Sequence, residues 1–193
     1  AILRKKLGEV LALNLPIDMI ATSHGVIWRE NPTQIVEKYA LWANDYQENQ
    51  ITILYDTMWN GTKALAEAIA EGISMEDPDV IVKVHNIAKS DDNDLITEVF
   101  RSKTVLIGSP TVSNSILHSV AGFLHLVKEL KFKGKKAAAF GCYGWSGESV
   151  KTLNDMLLSA GFEILNDGFK AQWNADSNSR AEAIAFGRAI AKG

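Results

Sequence analysis

The segment Ile51-Thr-Ile-Leu-Tyr55, followed by Asp56-Thr-Met-Trp-Asn-Gly-Thr62, decides the fold. Its first part is a short and almost wholly apolar run, which is typical of a strand buried on both faces of a sheet. Its second part is polar and leads into residues with apolar positions at helical spacing. A buried strand, a tight loop and an amphipathic helix in this order predict the first unit of a parallel α/β sheet.

The same alternation of strand and helix continues to the end of the chain. Apolar runs predict four further strands, and the segments after each strand have helical periodicity. The predicted strands are 80–87, 104–108, 136–141 and 162–169, and the motif Ser179-x-x-Glu182 predicts a capping box at the start of the last helix. Five apolar strands joined by helices predict a doubly wound parallel sheet covered on both faces, an α/β three-layer sandwich.

The first 49 residues do not follow this pattern. They predict a helix in 2–11, a short apolar run at 17–21 that ends in Ser23-His-Gly25, and a second helix. Asn31-Pro32 opens that second helix, with Gln34 placed to close a capping box. Helix, strand and helix in so few residues do not close a core of their own. Residues 44–49 are polar and predict a linker, so we expect a domain boundary between 1–49 and 50–193.

Composition excludes several classes of partner. The chain has 193 residues, 47% of them hydrophobic and 22% charged, and a net charge of −3, which describes a globular protein with no basic region for nucleic acid or an anionic membrane. No apolar run approaches the roughly 20 residues that span a bilayer. Cys142 is the only cysteine, so an internal disulfide and a thiolate metal cluster are excluded, and a reducing cytoplasmic setting is expected.

The loop after the first strand is a candidate phosphate site. It contains Thr57, Met58, Trp59, Asn60, Gly61 and Thr62 and runs directly into a helix. Backbone N–H groups and the dipole at a helix N-terminus favour an anion, and the two threonine hydroxyls add donors. The loop has neither a Walker A motif nor GxGxxG, so a dinucleotide is disfavoured. An ordinary strand-to-helix turn capped by threonine is the alternative interpretation.

The loops after the third and fourth strands complete the predicted site. In an open parallel sheet such loops meet at one edge, where ligands bind. Polar groups of the first loop suit the edge of a flat heterocycle, and glycines and aromatic rings of the second allow close approach and stacking, although those rings alternatively cap the core. The candidate residues are Ser109, Pro110, Thr111 and Asn114 in the first loop, and Gly141, Cys142, Tyr143, Gly144, Trp145 and Gly147 in the second. A phosphate site beside a flat aromatic site predicts that the ligand is flavin mononucleotide (FMN).

Several of these motifs together resemble flavodoxin, and most specifically the flavodoxin domain of the flavodiiron proteins. The motifs are Tyr55-Asp-Thr-Met-Trp, Phe140-Gly and Gly144-Trp-Ser-Gly147, and upstream Asn14-Leu-Pro-Ile-Asp-Met-Ile-Ala-Thr-Ser-His-Gly25 resembles the C-terminal end of that family's metallo-β-lactamase-like domain. The resemblance covers nearly the whole chain. It implies the flavodoxin strand order 2-1-3-4-5 for the sheet.

The resemblance also implies a function. In the flavodiiron family a flavin domain passes electrons from rubredoxin or another reductase to a di-iron centre, which reduces dioxygen or nitric oxide, and subunits pair head to tail. His24 corresponds to a di-iron ligand of that family. The other ligands of the family have no counterpart in this sequence. We therefore expect a flavin domain with the tail of an oxidase domain, and little bound iron in this chain.

Three other functions fit parts of the sequence. A stand-alone flavodoxin carrier and a flavodoxin-like NAD(P)H:quinone reductase fit the loops but do not explain the Ser23-His-Gly25 segment. A response-regulator receiver shares the strand order, and Asp56 ends the first strand as an acidic residue does there. That class is disfavoured because the third strand ends in Gly108-Ser-Pro110, where the phosphoacceptor aspartate belongs.

Overall fold

The computed structural model describes residues 2–173 and 176–193. They form two units that divide between Tyr46 and Gln47. This division lies slightly before the predicted boundary at Asn49, because Glu48 and Asn49 already belong to the first strand of the second unit. Polar contacts hold this start in place: Asn49 Nδ2 donates to the Asp79 carbonyl at 3.2 Å, and Arg101 lies 3.8 Å from the Glu48 carboxylate.

The first unit contains helix α1 (Ile2–Ala12) and helix α2 (Thr33–Trp42). In the segment that connects these helices, Ile20 pairs with Trp28 in an antiparallel bridge. Neither helix buries a residue. The predicted capping box of α2 is wrong, since no side chain caps this helix. Asn31 has a left-handed backbone with φ 48°, and the Gln34 side-chain amide instead donates to the Glu30 carbonyl at 2.9 Å.

The second unit is the predicted α/β sandwich. Its strands form a parallel sheet in the order β2-β1-β3-β4-β5, which confirms the predicted flavodoxin-like order 2-1-3-4-5, and a sixth strand also pairs with β4. The strands are β1 (Glu48–Tyr55), β2 (Ile81–Asn86), β3 (Ser102–Gly108), β4 (Lys136–Tyr143), β5 (Glu163–Ile164) and β6 (Phe169–Gln172). The helices of this unit are α3 (Gly61–Glu76), α4 (Asp92–Arg101), α5 (His118–Leu130), α6 (Glu148–Ser159) and α7 (Ser177–Lys192).

Alternate residues of each central strand pack on opposite faces of the sheet, as a strand period of two requires. Ile51 and Ile53 of β1 pack in one core with α3 and α7. Leu54 packs in the other core with α4, α5 and α6. Both faces are therefore closed by helices, and a ligand can reach the sheet only at its ends.

The predicted fifth strand is interrupted. Residues 162–169 were expected to be continuous, but the structure has two short strands, β5 and β6, that each pair with β4. Between them Gly168 takes a φ of +90°, and its N–H donates to Asn166 Oδ1 at 2.9 Å. A Cβ on Gly168 would lie 2.6 Å from the Ala139 carbonyl oxygen, so this turn passes close to β4. The sequence Asn166-Asp-Gly168 is a turn signal that the apolar pattern around it concealed.

The predicted capping box at the last helix is also wrong. Helix α7 begins at Ser177, and Asp176 is its N-cap, with Oδ1 accepting from the Ser179 N–H at 2.7 Å. Ser179 therefore lies in the first helical turn and is the donor to the cap. In the part of the chain that the structure describes, no helix has the length and apolar character needed to cross a membrane.

Candidate functional site

The carboxyl ends of the central strands meet at one edge of the sheet. In the register, Tyr55 of β1 lies beside Asn86 of β2 and Gly108 of β3, and Gly108 lies beside Phe140 of β4. Since the chain goes from β1 outward to β2 and then returns across β1 to β3, the switch point lies between β1 and β3. This is where the fold is expected to bind a ligand.

The loop after β1 forms the entrance to helix α3. Asn60 is the N-cap residue, with a left-handed φ of 64°, and its side chain makes no capping hydrogen bond. The amides of the first helical turn, which have no partner inside a helix, are thus not satisfied by the cap side chain. Thr57 Oγ1 is buried and has no hydrogen-bond partner among the described residues. The loop combines a helix N-terminus that no cap side chain bonds with an orphaned hydroxyl, and both features suit an anion.

The last residue of this loop, Thr62, and the residue before the loop, Asp56, already have partners within the protein. Thr62 is fully buried, and its Oγ1 lies 3.3 Å from Cys142 Sγ at the end of β4. The Asp56 carboxylate accepts from the Thr57 N–H at 2.8 Å and from Ser119 Oγ at 2.5 Å. Asp56 therefore fixes the loop to helix α5. Of the two predicted threonine donors, Thr57 is the one whose hydroxyl is available.

The loop after β3 is held by its own hydrogen bonds. Ser109 is fully buried, and its hydroxyl donates to the Pro110 carbonyl at 2.9 Å and accepts from the Leu117 N–H at 3.0 Å. Asn114 lies in a tight turn with φ 59° between the bridged residues Val112 and Ser115. Ser109 and Asn114 shape this loop, whereas its residues Pro110, Thr111 and Val112 line the adjacent pocket.

Glycines in the loop after β4 allow close packing of the protein with itself. A Cβ on Gly141 would lie 2.1 Å from the Ser109 carbonyl oxygen, so this glycine lets the ends of β3 and β4 approach. A Cβ on Gly144 would lie 2.9 Å from the ring of Trp173. Gly147 would bring its Cβ within 3.3 Å of the Tyr143 ring. The glycines thus bring the aromatic side chains into position.

The three loops, together with Trp173, line a pocket of about 440 Å³, a size that suits a small cofactor. Most of its lining was predicted from the sequence, and Val112 and Trp173 were not. The lining residues are Met58, Trp59, Gly61, Pro110, Thr111, Val112, Cys142, Tyr143, Gly144, Trp145 and Trp173. Of the predicted residues, those that do not line the pocket itself are Thr57, Asn60, Thr62, Ser109, Asn114, Gly141 and Gly147. They lie in the same three loops.

Four of the eleven residues that line the pocket are aromatic, and two of these four are strongly exposed. Trp145 is 89% exposed and Trp59 is 82% exposed, which is unusual for such large apolar side chains. Lys170 Nζ lies 5.9 Å from the centroid of the Tyr143 ring, so a cation faces one side of that ring. At the end of β1, burial raises the pKa of the Tyr55 phenol, and the nearby Lys63 ammonium opposes this shift only in part.

The residues present do not fit a di-iron centre by themselves. His24 is exposed in the first unit, and the described residues include no group of three or more histidines, cysteines, aspartates or glutamates that could hold a metal. One imidazole cannot bind two irons. The expectation that His24 is an iron ligand in a longer protein stays a prediction.

Comparisons with known proteins agree with the fold. The flavodoxin family model matches residues 53–187. The anaerobic nitric oxide reductase flavorubredoxin of Vibrio vulnificus is 50% identical over 192 residues, which is 100% of this chain and 39% of that protein. The chain thus spans well under half the length of this relative.

Solved structures give the same result. The rubredoxin oxygen:oxidoreductase of Desulfovibrio gigas superposes with a TM-score of 0.91 at 30% identity, covering 98% of this chain and 47% of that one. An archaeal flavodoxin superposes with a TM-score of 0.66 at 25% identity, covering 74% of this chain and 96% of that one. The first match includes both units of this chain, whereas the second covers a smaller part of it.

Proposed function

Because the chain belongs to the flavodoxin family, we propose that the pocket at the carboxyl edge of the sheet binds FMN. The observation that carries the proposal is the uncapped N-terminus of α3 beside the orphaned hydroxyl of Thr57, at the edge of an aromatic pocket. These groups suit a phosphate, and the pocket suits a flat ring. FMN has both parts in one molecule.

The binding residues divide by the part of the ligand that they would hold. The loop from Thr57 to Thr62 would hold the phosphate through backbone amides and the Thr57 hydroxyl. Tyr143 and Trp145 would contact the ring, with Pro110, Thr111, Cys142 and Gly144 around it. Ser109, Asn114, Gly141 and Gly147 would act by shaping the two loops. Exposed Trp59 and Met58 would shield the ligand from water.

Bound FMN would supply the redox chemistry, and the protein contributes binding, orientation and exclusion of water. Thr111, a polar residue that lines the pocket, is engaged in fixed contacts. Thr111 Oγ1 donates to Ser149 Oγ at 3.0 Å and accepts from the Ser149 N–H at 3.2 Å. This arrangement suits a domain that passes electrons without an acid–base residue of its own.

In the longer protein, we propose that this domain relays electrons to a di-iron reductase of nitric oxide or dioxygen. Support comes from the similarity to flavorubredoxin and from the match to rubredoxin oxygen:oxidoreductase, which extends over 98% of this chain. On this proposal rubredoxin or a similar protein is the donor, His24 is an iron ligand, and subunits pair head to tail. A cytoplasmic setting belongs to the same proposal.

A stand-alone flavodoxin carrier is the second candidate. It is favoured by the family match to residues 53–187, which the second unit alone provides. Residues 2–46 argue against this candidate, because a stand-alone carrier does not need them. The match to the archaeal flavodoxin covers only 74% of this chain, which is consistent with a carrier that lacks these residues. Both candidates require FMN in the same pocket.

The test of the proposal is flavin binding. We expect the purified chain to be yellow, and the flavin-free protein to take up one equivalent of FMN with quenching of flavin fluorescence, because exposed tryptophans line the pocket. Titration of the stripped protein with FMN, and separately with riboflavin, measures this uptake and the contribution of the phosphate. A colourless protein that takes up neither flavin would refute the proposed function.

Substitution of Thr57 by valine should separate ligand binding from stability. Valine keeps the shape and removes a buried hydroxyl that has no partner among the described residues, so we expect the stability of the flavin-free protein to be unchanged or slightly higher. FMN affinity should fall by about 1–2 kcal/mol, while riboflavin affinity stays the same. Isothermal titration with both flavins measures the difference.

The control for this substitution is Thr97→Val in helix α4, where the hydroxyl donates to the Asn93 carbonyl at 2.8 Å outside the pocket. It should leave both affinities unchanged. Thr62→Ala, the substitution that the sequence first suggests, should weaken FMN binding less than Thr57→Val, because the Thr62 hydroxyl is buried against Cys142 Sγ and is not available to the ligand. It additionally removes the contact with Cys142 Sγ, so it is the less selective test. Equal FMN affinity in the Thr57 variant and the unmodified chain would exclude a phosphate contact.

A further inference from the structure

Trp173 is a pocket residue that the loops following β1, β3 and β4 do not supply. It directly follows strand β6, and its N–H donates to the Tyr143 carbonyl at 2.7 Å, which continues the pairing of β6 with β4 by one residue. Its φ is then 58°, in the left-handed region that a tryptophan rarely adopts. The backbone thus turns at the position where the indole lines the pocket.

The indole of Trp173 makes two specific contacts with the loop after β4. It packs where a side chain on Gly144 would stand, since a Cβ there would lie 2.9 Å from the ring. It also meets Trp145 edge to face, with ring centroids 5.1 Å apart and an interplanar angle of 73°. The preceding residue, Gln172, adds a hydrogen bond to the same loop, since its Nε2 donates to the Gly144 carbonyl at 3.0 Å. The end of β6 therefore supports the loop that carries Trp145.

This support matters because Trp145 has little other protein around it. The side chain is 89% exposed, and a side chain so exposed is free to change rotamer in the absence of a neighbour. An aromatic contact in edge-to-face geometry favours one orientation of the ring over the others. Trp173, itself 56% exposed, lines the same pocket and is the neighbour that provides this contact.

We infer that Trp173 is a positioning residue for flavin, which holds Trp145 in the orientation that receives the ring system. The inference rests on the proposed FMN function and adds a residue from β6 to it. Trp173 acts on the ring part of the ligand and not on its phosphate. Its effect is transmitted through Trp145.

The experiment compares two substitutions in the full chain, Trp173→Leu and Trp173→Phe, by titration with FMN and with riboflavin. Leucine keeps apolar bulk but lacks an aromatic edge, so we expect both flavins to bind about three- to tenfold more weakly, by the same factor. Phenylalanine should retain most of the affinity. In a Trp145→Ala background the Leu substitution should have no further effect, because the two residues act as a pair.

Trp42→Ala serves as the control, because it removes a tryptophan that does not line the pocket, and it should leave both affinities unchanged. The inference is overturned if the Leu variant binds like the unmodified chain, or if Leu and Phe lose affinity equally. It is also overturned if the loss is confined to FMN, or if it persists without Trp145. An unmodified chain that binds neither flavin would instead refute the proposed function itself, and the inference with it.

Discussion

Substitution of Gly187 by alanine is expected to destabilise the folded protein by about 2–3 kcal/mol. Gly187 lies in α7 where this helix crosses α3, and a Cβ there would stand 2.2 Å from the Ile69 carbonyl oxygen. The contact is reciprocal, since a Cβ on Gly72 of α3 would stand 2.1 Å from the Ile184 carbonyl oxygen. Both obstacles are backbone atoms, which cannot rotate away, so the two helices must separate.

Gly122→Ala is the matched control. Gly122 is exposed in the interior of helix α5, and apart from its chain neighbours and the backbone of its own helix no atom lies within 4 Å of a Cβ built on it. Because alanine has the higher helix propensity, this change should stabilise the protein by about 0.5–1 kcal/mol. Urea unfolding of both variants, followed by circular dichroism, measures the difference in the free energy of unfolding. A Gly187 variant that is as stable as the Gly122 variant would show that the two helices do not meet this closely.

The helix crossing also has a consequence for the site. Helix α3 presents its N-terminus to the pocket at one end and carries Gly72 nearer its other end. If α7 is pushed away, α3 must shift on the sheet, and the amides beside Thr57 move with it. We therefore regard the two glycines as part of what places the anion cradle, although they lie outside the pocket.

The sheet was predictable because its central strands are buried on both faces. Residues such as Ile53 and Leu106 are fully buried, and strands of this kind appear in a sequence as continuous apolar runs. The interruption of the last strand at Asn166 was not predicted, since that strand lies at the end of the sheet and has fewer apolar residues. The predictions of capping residues at helix starts were wrong for a different reason. Several polar side chains near Ser179 could serve as the cap, and the sequence does not say which one does.

The site was predictable at the level of loops and less so at the level of residues. Topology alone brings three loops to one edge, and their residue types indicated a flavin. Ser109 and Gly141 were expected to contact the ligand, but the structure shows why such residues also occur without that contact: one bonds within its loop, and the other admits the neighbouring strand. Trp173 was missed because it follows a strand whose end was placed too early.

The second large effect expected is a pH dependence of stability caused by Lys135. This lysine is 4% exposed at the amino end of β4, away from the pocket, and its Nζ donates to the carbonyls of Phe100 and Ser102 at 2.7 Å each. The rings of Phe100 and Phe132 lie 5.9 Å from the ammonium group. Burial in these surroundings lowers the pKa of Lys135 from 10.5 to about 8.

The sign follows from proton binding in the two states. Between pH 8 and pH 10.5 the unfolded chain keeps a proton on Lys135 that the folded protein has released, so the free energy of unfolding rises with pH in this window. The contribution is fully present above the unfolded pKa and is lost as the pH falls through the folded pKa. Between about pH 7 and about pH 9.5 it amounts to about 2 kcal/mol.

Lys135→Met isolates this contribution, because methionine keeps the apolar stem and cannot titrate. We expect the difference in unfolding free energy between the unmodified chain and this variant to shift by about 2 kcal/mol in favour of the unmodified chain from about pH 7 to about pH 9.5. In the variant, the carbonyls of Phe100 and Ser102 lose their donor, which costs the same free energy at every pH. Comparing the slopes of unfolding free energy against pH removes this constant cost. Lys133→Met, which removes an exposed charge from the same segment, should give the pH profile of the unmodified chain. Parallel profiles for the Lys135 variant and the unmodified chain would mean that the buried ammonium is not destabilised, and that the two carbonyl groups together offset its loss of water.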